Sequence, residues 1–358
     1  MKLLYLATLL LITYDITAQN SNAADRAKAI LDALKRFNEM SKKANEVNNA
    51  KTTWKAKAST DFDYDDANIR QLNNLQISDL DYMSMATVGF EDFLQASTDT
   101  LPTNFTAGID KFQACNATIS EIADQSYCGS CWAVSSATVM TDRLCIATNG
   151  TDKRKVSYQD LLECCPNCGY KCNGGSTVFA YNYWVNNGIC TGGAFNTTGN
   201  CKPYSFAPCN DPLYRYTAAC LQRNTTVTCR NTCQSSFLNP AYPNDRLRGK
   251  TAYRVLGGEE IIKREIFTNG PVTAAFMVYQ DFMTYKSGIY QYKTGAYLGG
   301  HAIKIVGWGE ANGVKYWLIA NSWGKNWGEN GYFKFLRGAN HLQIETYVVA
   351  GLPVVAAA

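Results

Sequence analysis

Between residues 23 and 46, Ala27, Ile30, Leu31, Leu34, Phe37, Met40 and Ala44 recur at helical spacing with Lys, Arg and Glu between them. This pattern predicts an amphipathic helix that needs a surface for its apolar stripe. A second run has the opposite character. From Cys131 to Thr148 apolar residues lie on nearly all sides, without Pro or Gly until Asn149-Gly150, and this predicts a buried helix. Ser157-Tyr-Gln-Asp160-Leu-Leu-Glu163 predicts a short helix capped by Ser157. Residues 190–250 are rich in Tyr, Pro and Asn with little periodicity. Beyond them the pattern turns strand-like, at Pro271–Val278, His301–Val306, Tyr316–Ala320 and Gly331–Leu336. A helical half followed by a strand-rich half predicts an α+β protein with a site between the two.

Residues 1–18 place Lys2 before an apolar run, Leu3 to Tyr14, and end on the small Ala18. They read as a secretory signal peptide, too short for a membrane span, and no later segment approaches 18 apolar residues. All 14 cysteines lie between 115 and 233. In a secreted chain the cluster Cys164-Cys165-Pro-Asn-Cys168-Gly-Tyr-Lys-Cys172 reads as disulfides rather than a zinc site. Five Asn-x-Ser/Thr sequons, at Asn104, Asn116, Asn149, Asn196 and Asn224, agree with secretion. Residues 19–100 contain no cysteine and carry 10 basic and 13 acidic side chains, against 23 and 16 in residues 101–358. The two parts therefore attract, and the first reads as a non-covalently docked propeptide. Neither part has a run of five basic residues, which excludes a nucleic-acid-binding reading.

The candidate chemistry sits in Gln125-Ser-Tyr-Cys128-Gly-Ser-Cys131-Trp132. Cys131 opens the buried helix, where unsatisfied N–H groups and the positive end of the dipole favour a thiolate. Cys128-Gly-Ser-Cys131 also has the spacing of a redox dithiol, although there the nucleophile is normally the first cysteine. A nucleophilic thiol needs a base, and the chain has two histidines, His301 and His341. His301 follows Gly299-Gly300, and Asn312-Gly313 predicts a hairpin turn that brings Asn321 back to the same end. A strict two-residue turn pairs positions summing to 625 and turns Asn321 to the other face. A longer loop or bulge giving 622 sets His301 and Asn321 side by side, and this second register is the one expected.

Gln125 to Trp132, Cys172-Asn-Gly-Gly175, Gly300-His301-Ala302 and Asn321-Ser322-Trp323-Gly324 resemble the papain-like cysteine peptidases, and much of residues 101–353 resembles the cathepsin B subgroup. The resemblance implies a papain-like two-domain fold, a helical left domain and a strand-rich, barrel-like right domain with the cleft between them. The family spacing from Cys to His and Asn is about 130–150 residues. The separations of 170 and 190 here match an occluding-loop insertion at about 201–233.

By resemblance, Cys131 is the nucleophile, held as a thiolate by His301 as imidazolium, and Asn321 orients His301 under the shield of Trp323. Gln125 and the Cys131 N–H bind the oxyanion, and Gly174, Gly175 and Ala302 offer substrate contacts. Glu345 matches an acidic floor of the pocket for the residue two before the scissile bond, which implies acceptance of Arg beside apolar residues. The implied disulfides are Cys115–Cys145, Cys128–Cys172, Cys164–Cys229, Cys165–Cys168, Cys201–Cys233 and Cys209–Cys220, which make Cys128 structural and leave Cys190 odd. The pattern at Thr52-Thr53-Trp54-Lys-Ala56 implies that residues 19–100 lie through the cleft, with acid weakening their docking through the aspartates at 61–66. Protein and peptide substrates, the chain's own propeptide and cystatin-type inhibitors are the implied partners, with no metal or cofactor, in a lysosome or outside the cell. The chain departs from the subgroup at Cys209-Asn210-Asp211-Pro212, where two histidines that bind a substrate's terminal carboxylate are absent. The expectation is an endopeptidase without carboxydipeptidase activity.

Overall fold

The computed structural model describes residues 23–59, 66–88, 100–209, 211, 213–214, 220 and 225–355. The expected signal peptide, most of the acidic run at 61–66, and Asn210 and Pro212 of the insertion lie outside the described residues. The N-terminal segment forms helix α1 (Ala23–Asn49), strand β1 (Trp54–Ala56), helices α2 (Asp66–Leu72) and α3 (Asp79–Ser84), and strand β2 (Ala86–Val88). Its apolar stripe finds the expected surface. Met40, Ala44 and Val47 are buried and join Trp54 and Ala56 in the core of the strand-rich half.

After strand β3 (Phe105–Thr106), the helical half is built on α4 (Cys131–Ala147), with α5 (Tyr158–Cys164) and α6 (Thr177–Asn186) packed on it. Trp132, Val134, Ala137, Val139 and Leu144 of α4 are all buried, as its uninterrupted apolar sequence requires. Ser157 caps α5, its hydroxyl accepting from Asp160 N at 3.0 Å. Helix α6 has strand-prone residues, and its helix is decided by packing: Val178, Tyr181 and Trp184, three apart, bury one face. The short strands β4 (Gly192–Gly193) and β5 (Lys202–Pro203) pair in parallel at the base of the insertion. The Asp160 carboxylate pins that region, accepting from Lys202 Nζ at 2.7 Å, Tyr242 Oη at 2.8 Å and Arg246 at 3.1 Å.

The strand-rich half holds β6 (Tyr253–Val255), helix α7 (Gly258–Asn269), β7 (Val272–Tyr279), β8 (Tyr285–Tyr290), β9 (Tyr297–Ala311), β10 (Val314–Ala320), β11 (Tyr332–Leu336) and β12 (Tyr347–Ala350). The main sheet runs β1-β8-β11-β10-β9-β7-β12-β6-β2, with β3 paired to β9. Among the described residues it does not close into a ring. Both of its outermost strands, β1 and β2, come from the N-terminal segment.

Two buried ion pairs fasten α4 to this half and so fix where its first residue points. Lys304 on β9 meets Asp142 at 2.9 Å, and Arg143 meets Glu265 on α7 at 2.8 Å. Arg143 also donates to Pro271 O, Gly270 O and Tyr253 Oη, so the buried guanidinium is surrounded by acceptors.

Candidate active site

The Asn312-Gly313 turn joins β9 and β10 with φ of 52° and 74°, the conformation a two-residue hairpin demands. Pairing sums to 625 from Val314 and Ala311 as far as Leu318 and Gly307, then a bulge before Ile319 shifts it so that Ala320 faces Lys304, a sum of 624. The expected sum of 622 is therefore not reached. A one-residue slip is sufficient, because the side-chain period of a strand is two and the slip moves Asn321 to the face of His301 as a diagonal neighbour. His301 Nε2 and Asn321 Oδ1 are 2.8 Å apart.

The same oxygen of Asn321 accepts the N–H of Ser322 at 2.8 Å, which fixes the amide with its oxygen toward the ring. Nε2 then carries the hydrogen, and Nδ1, buried without a well-directed hydrogen bond, remains as the basic nitrogen. Trp323 lies over the imidazole with ring centroids 4.8 Å apart and excludes water from the pair. On the opposite wall Cys131 opens α4, and its sulfur receives the N–H of Ala302, the residue after His301. Ser322 also reaches Gln125: its hydroxyl donates to Gln125 Oε1 at 2.6 Å, leaving Nε2 as the outward donor.

That donor is engaged. Gln125 Nε2 reaches the Leu72 carbonyl at 3.2 Å, and Leu72 belongs to the N-terminal segment. The segment continues through the cleft, with Leu75 N donating to Gly300 O at 3.0 Å and Gln76 N to Gly175 O at 2.8 Å. It runs parallel to both stretches it meets, β9 at Gly300 and the loop at Gly175. A β-carbon on Gly174 would lie 1.9 Å from Asn74 O, so only glycine permits this approach.

Covering the cleft changes its protonation. Burial pushes the Cys131 thiol up to about 11, partly offset by the N–H groups of Ala302, Trp132 and Cys131. Burial pushes His301 down to about 4, partly offset by Asn321 and the Leu72 carbonyl. Burial thus disfavours the charged forms of both groups while the segment covers them, because it removes the water that would stabilise both charges.

Six disulfides join Cys115–Cys145, Cys128–Cys172, Cys164–Cys229, Cys165–Cys168, Cys201–Cys233 and Cys209–Cys220. Cys131 and Cys190 are free, so the dithiol alternative has no second thiol at Cys128. Glu345 does not offer a carboxylate to the cleft. Its oxygens accept from Trp317 Nε1 at 2.9 Å, Gly338 N at 2.6 Å and Asn340 N at 3.0 Å, which makes it the brace of the turn before β12. The groove wall is formed two residues on by Tyr347, whose ring packs edge-on against Tyr82 at 5.4 Å and whose hydroxyl bonds Asp79. Sequence reading passed over Tyr347 and Ser322; the adjacency of Ser322 to Asn321 was the available signal for the latter.

Residues 106–352 match the model of the papain family cysteine proteases. Cathepsin B-like cysteine proteinase 4 of Caenorhabditis elegans is 48% identical over 259 residues, which cover 72% of this chain and 77% of that protein. A cathepsin B-like cysteine proteinase of Schistosoma japonicum is 42% identical over 301 residues, 84% of this chain and 86% of its own length. Among solved structures, procathepsin B S9 from Trypanosoma congolense superposes with a TM-score of 0.75 at 36% identity, over 88% of this chain and 98% of that one. The chain belongs to the papain family of cysteine proteases and is a cathepsin B-like member of it.

Proposed function

We propose that the chain is made with a signal peptide at 1–18 and a propeptide at 19–100, and that residues 101–358, including the insertion at about 201–233, become an endopeptidase when the propeptide leaves. The observation that carries this reading is the 2.8 Å bond between His301 Nε2 and Asn321 Oδ1, which leaves the other ring nitrogen, without a well-directed hydrogen bond, to serve as the base. Uncovering the site returns water to it and lets the proton pass from Cys131 Sγ to His301 Nδ1. The thiolate attacks the substrate carbonyl carbon, and the oxyanion develops where the Leu72 oxygen now sits, held by Gln125 Nε2 and the Cys131 N–H. His301 then protonates the leaving amine and later takes a proton from the water that releases the acyl group.

Endopeptidase rather than carboxydipeptidase action is supported by the insertion, which carries Asp211 in Cys209-Asn210-Asp211-Pro212 and no histidine to bind a terminal carboxylate. An acidic side chain at that place repels a substrate's terminal carboxylate instead of binding it. On the other side the aromatic wall of Tyr347, in place of a free Glu345, supports acceptance of apolar side chains two positions before the scissile bond. Residues 1–18 and the six bridges support a secretory route, ending in a lysosome or outside the cell, where cystatin-type inhibitors would meet the enzyme. Given a peptide blocked at both ends, the acid-matured protein is expected to cut internally, as read by mass spectrometry; stepwise release of dipeptides from a free C-terminus would refute the endopeptidase assignment.

Ser322 positions Gln125 and Asn321 together. Ser322→Ala keeps the backbone N–H to Asn321 and the bond from Gln125 Nε2 to Cys128 O at 3.0 Å but removes the one that holds Oε1, and kcat is expected to fall on the order of tenfold, less than full loss of an oxyanion donor. KM and the acid limb of the pH profile should stay in place, whereas a merely structural role would move stability and leave kcat unchanged.

A further inference from the structure

We infer that the groove now filled by Thr53, Trp54 and Ala56 becomes, after maturation, an accessory site that captures an extended segment of a protein substrate bearing an aromatic side chain. This rests on the proposed removal of the N-terminal segment. Strand β1 pairs antiparallel with β8, Trp54 facing Gly288 and Lys55 facing Ser287. Main-chain bonds continue past the strand, with Ile289 N donating to Thr53 O at 2.9 Å and Lys57 N to Thr284 O at 2.7 Å. The Trp54 side chain is 1% exposed. Its ring lies against Tyr285 and Tyr290, and its Nε1 donates to Gln291 O at 2.9 Å.

The walls of this groove do not depend on their present occupant. Tyr285 Oη donates to Glu329 Oε1 at 2.7 Å, and Gly288 N donates to the same oxygen at 3.2 Å, so residues of the peptidase region hold the slot in shape. Gly288 has φ of 92°, and a β-carbon there would lie 2.5 Å from Thr53 O, so its bare backbone is what admits a second strand. On the other side β8 is paired with β11. Loss of β1 therefore leaves β8 as an edge strand with unpaired N–H and C=O groups beside an empty aromatic slot, the two elements of recognition by strand addition. Trp54 in this groove and Leu72, whose carbonyl meets Gln125, belong to one chain, so one chain can fill both places at once. An unfolded protein can do the same, whereas a short peptide reaches only the cleft.

The test uses the acid-matured protein and a synthetic peptide of its own residues 50–59, which ends well before the cleft. The peptide is expected to bind, with blue-shifted Trp54 fluorescence, and to lower kcat/KM for carboxymethylated, unfolded casein on the order of tenfold, as loss of a second tethering contact does. Turnover of a dipeptidyl coumarin amide should be unchanged, and the same peptide with Trp54→Ala should have no effect on either substrate. Absence of binding, unchanged casein turnover, or equal inhibition of both substrates would each overturn the inference. Turnover of the small substrate separately reports whether the protein is a peptidase at all.

Discussion

Replacing Cys131 with alanine is expected to abolish peptide-bond hydrolysis, lowering kcat on the order of 10⁴–10⁶-fold while the protein folds normally. The magnitude follows from removing the nucleophile of a mechanism whose parts act as a unit, so that the oxyanion donors and the histidine are left with nothing to assist. Normal folding is expected because the start of α4 does not depend on the thiol, and alanine fills less space at the cost of one weak bond, that of the Ala302 N–H to the sulfur. Thermal unfolding and turnover of a fluorogenic peptide separate the two effects. A Cys131→Ala protein that kept even a hundredth of wild-type turnover would place the chemistry elsewhere.

Glu265→Ala is expected to be the most damaging single change for stability. Both partners of the Arg143–Glu265 pair are fully buried, and the substitution leaves the guanidinium uncompensated, a loss of about 3–5 kcal/mol. In a domain of this size that lowers Tm by on the order of 10 °C. The bonds from Arg143 to Pro271 O, Gly270 O and Tyr253 Oη offset part of the loss but supply no negative charge. The same pair joins α4 to α7, so the cleft should loosen before the whole molecule unfolds, and calorimetry together with the KM of a small substrate would show both. A Tm within a degree of wild type would mean that the carbonyl oxygens alone suffice for Arg143.

Much of this site was legible because its residues are local in sequence to strong signals. The helix opened by Cys131 shows in an unbroken apolar run, and the hairpin that carries His301 and Asn321 shows in Asn312-Gly313. What the sequence hid depends on contacts between distant segments. The bulge leaves Val306 of β9 unpaired beside Gly307, a glycine that also lets Phe105 approach, and it decides which face Asn321 takes. Glu345 reads as a free acid near a pocket until Trp317, 28 residues away, and two turn amides are seen to consume it. Gly299 reads only as one of the pair Gly299-Gly300 that precedes the strand of His301. In the fold it lies within β9, with φ of 138°, where a β-carbon would approach Asn73 O to 2.1 Å, so its purpose lies in another part of the chain. The cover over the pair was hidden for the same reason, since the covering segment is more than fifty residues from Cys131.

The most direct measurement is the site and stoichiometry of labelling by an alkylating peptide inhibitor, read by peptide mapping before and after acid maturation. The full chain should resist the reagent, since its thiol is covered, and the matured protein should take one equivalent on Cys131 with complete loss of turnover. Label on Cys190, or full turnover after Cys131 has been blocked, would contradict the account.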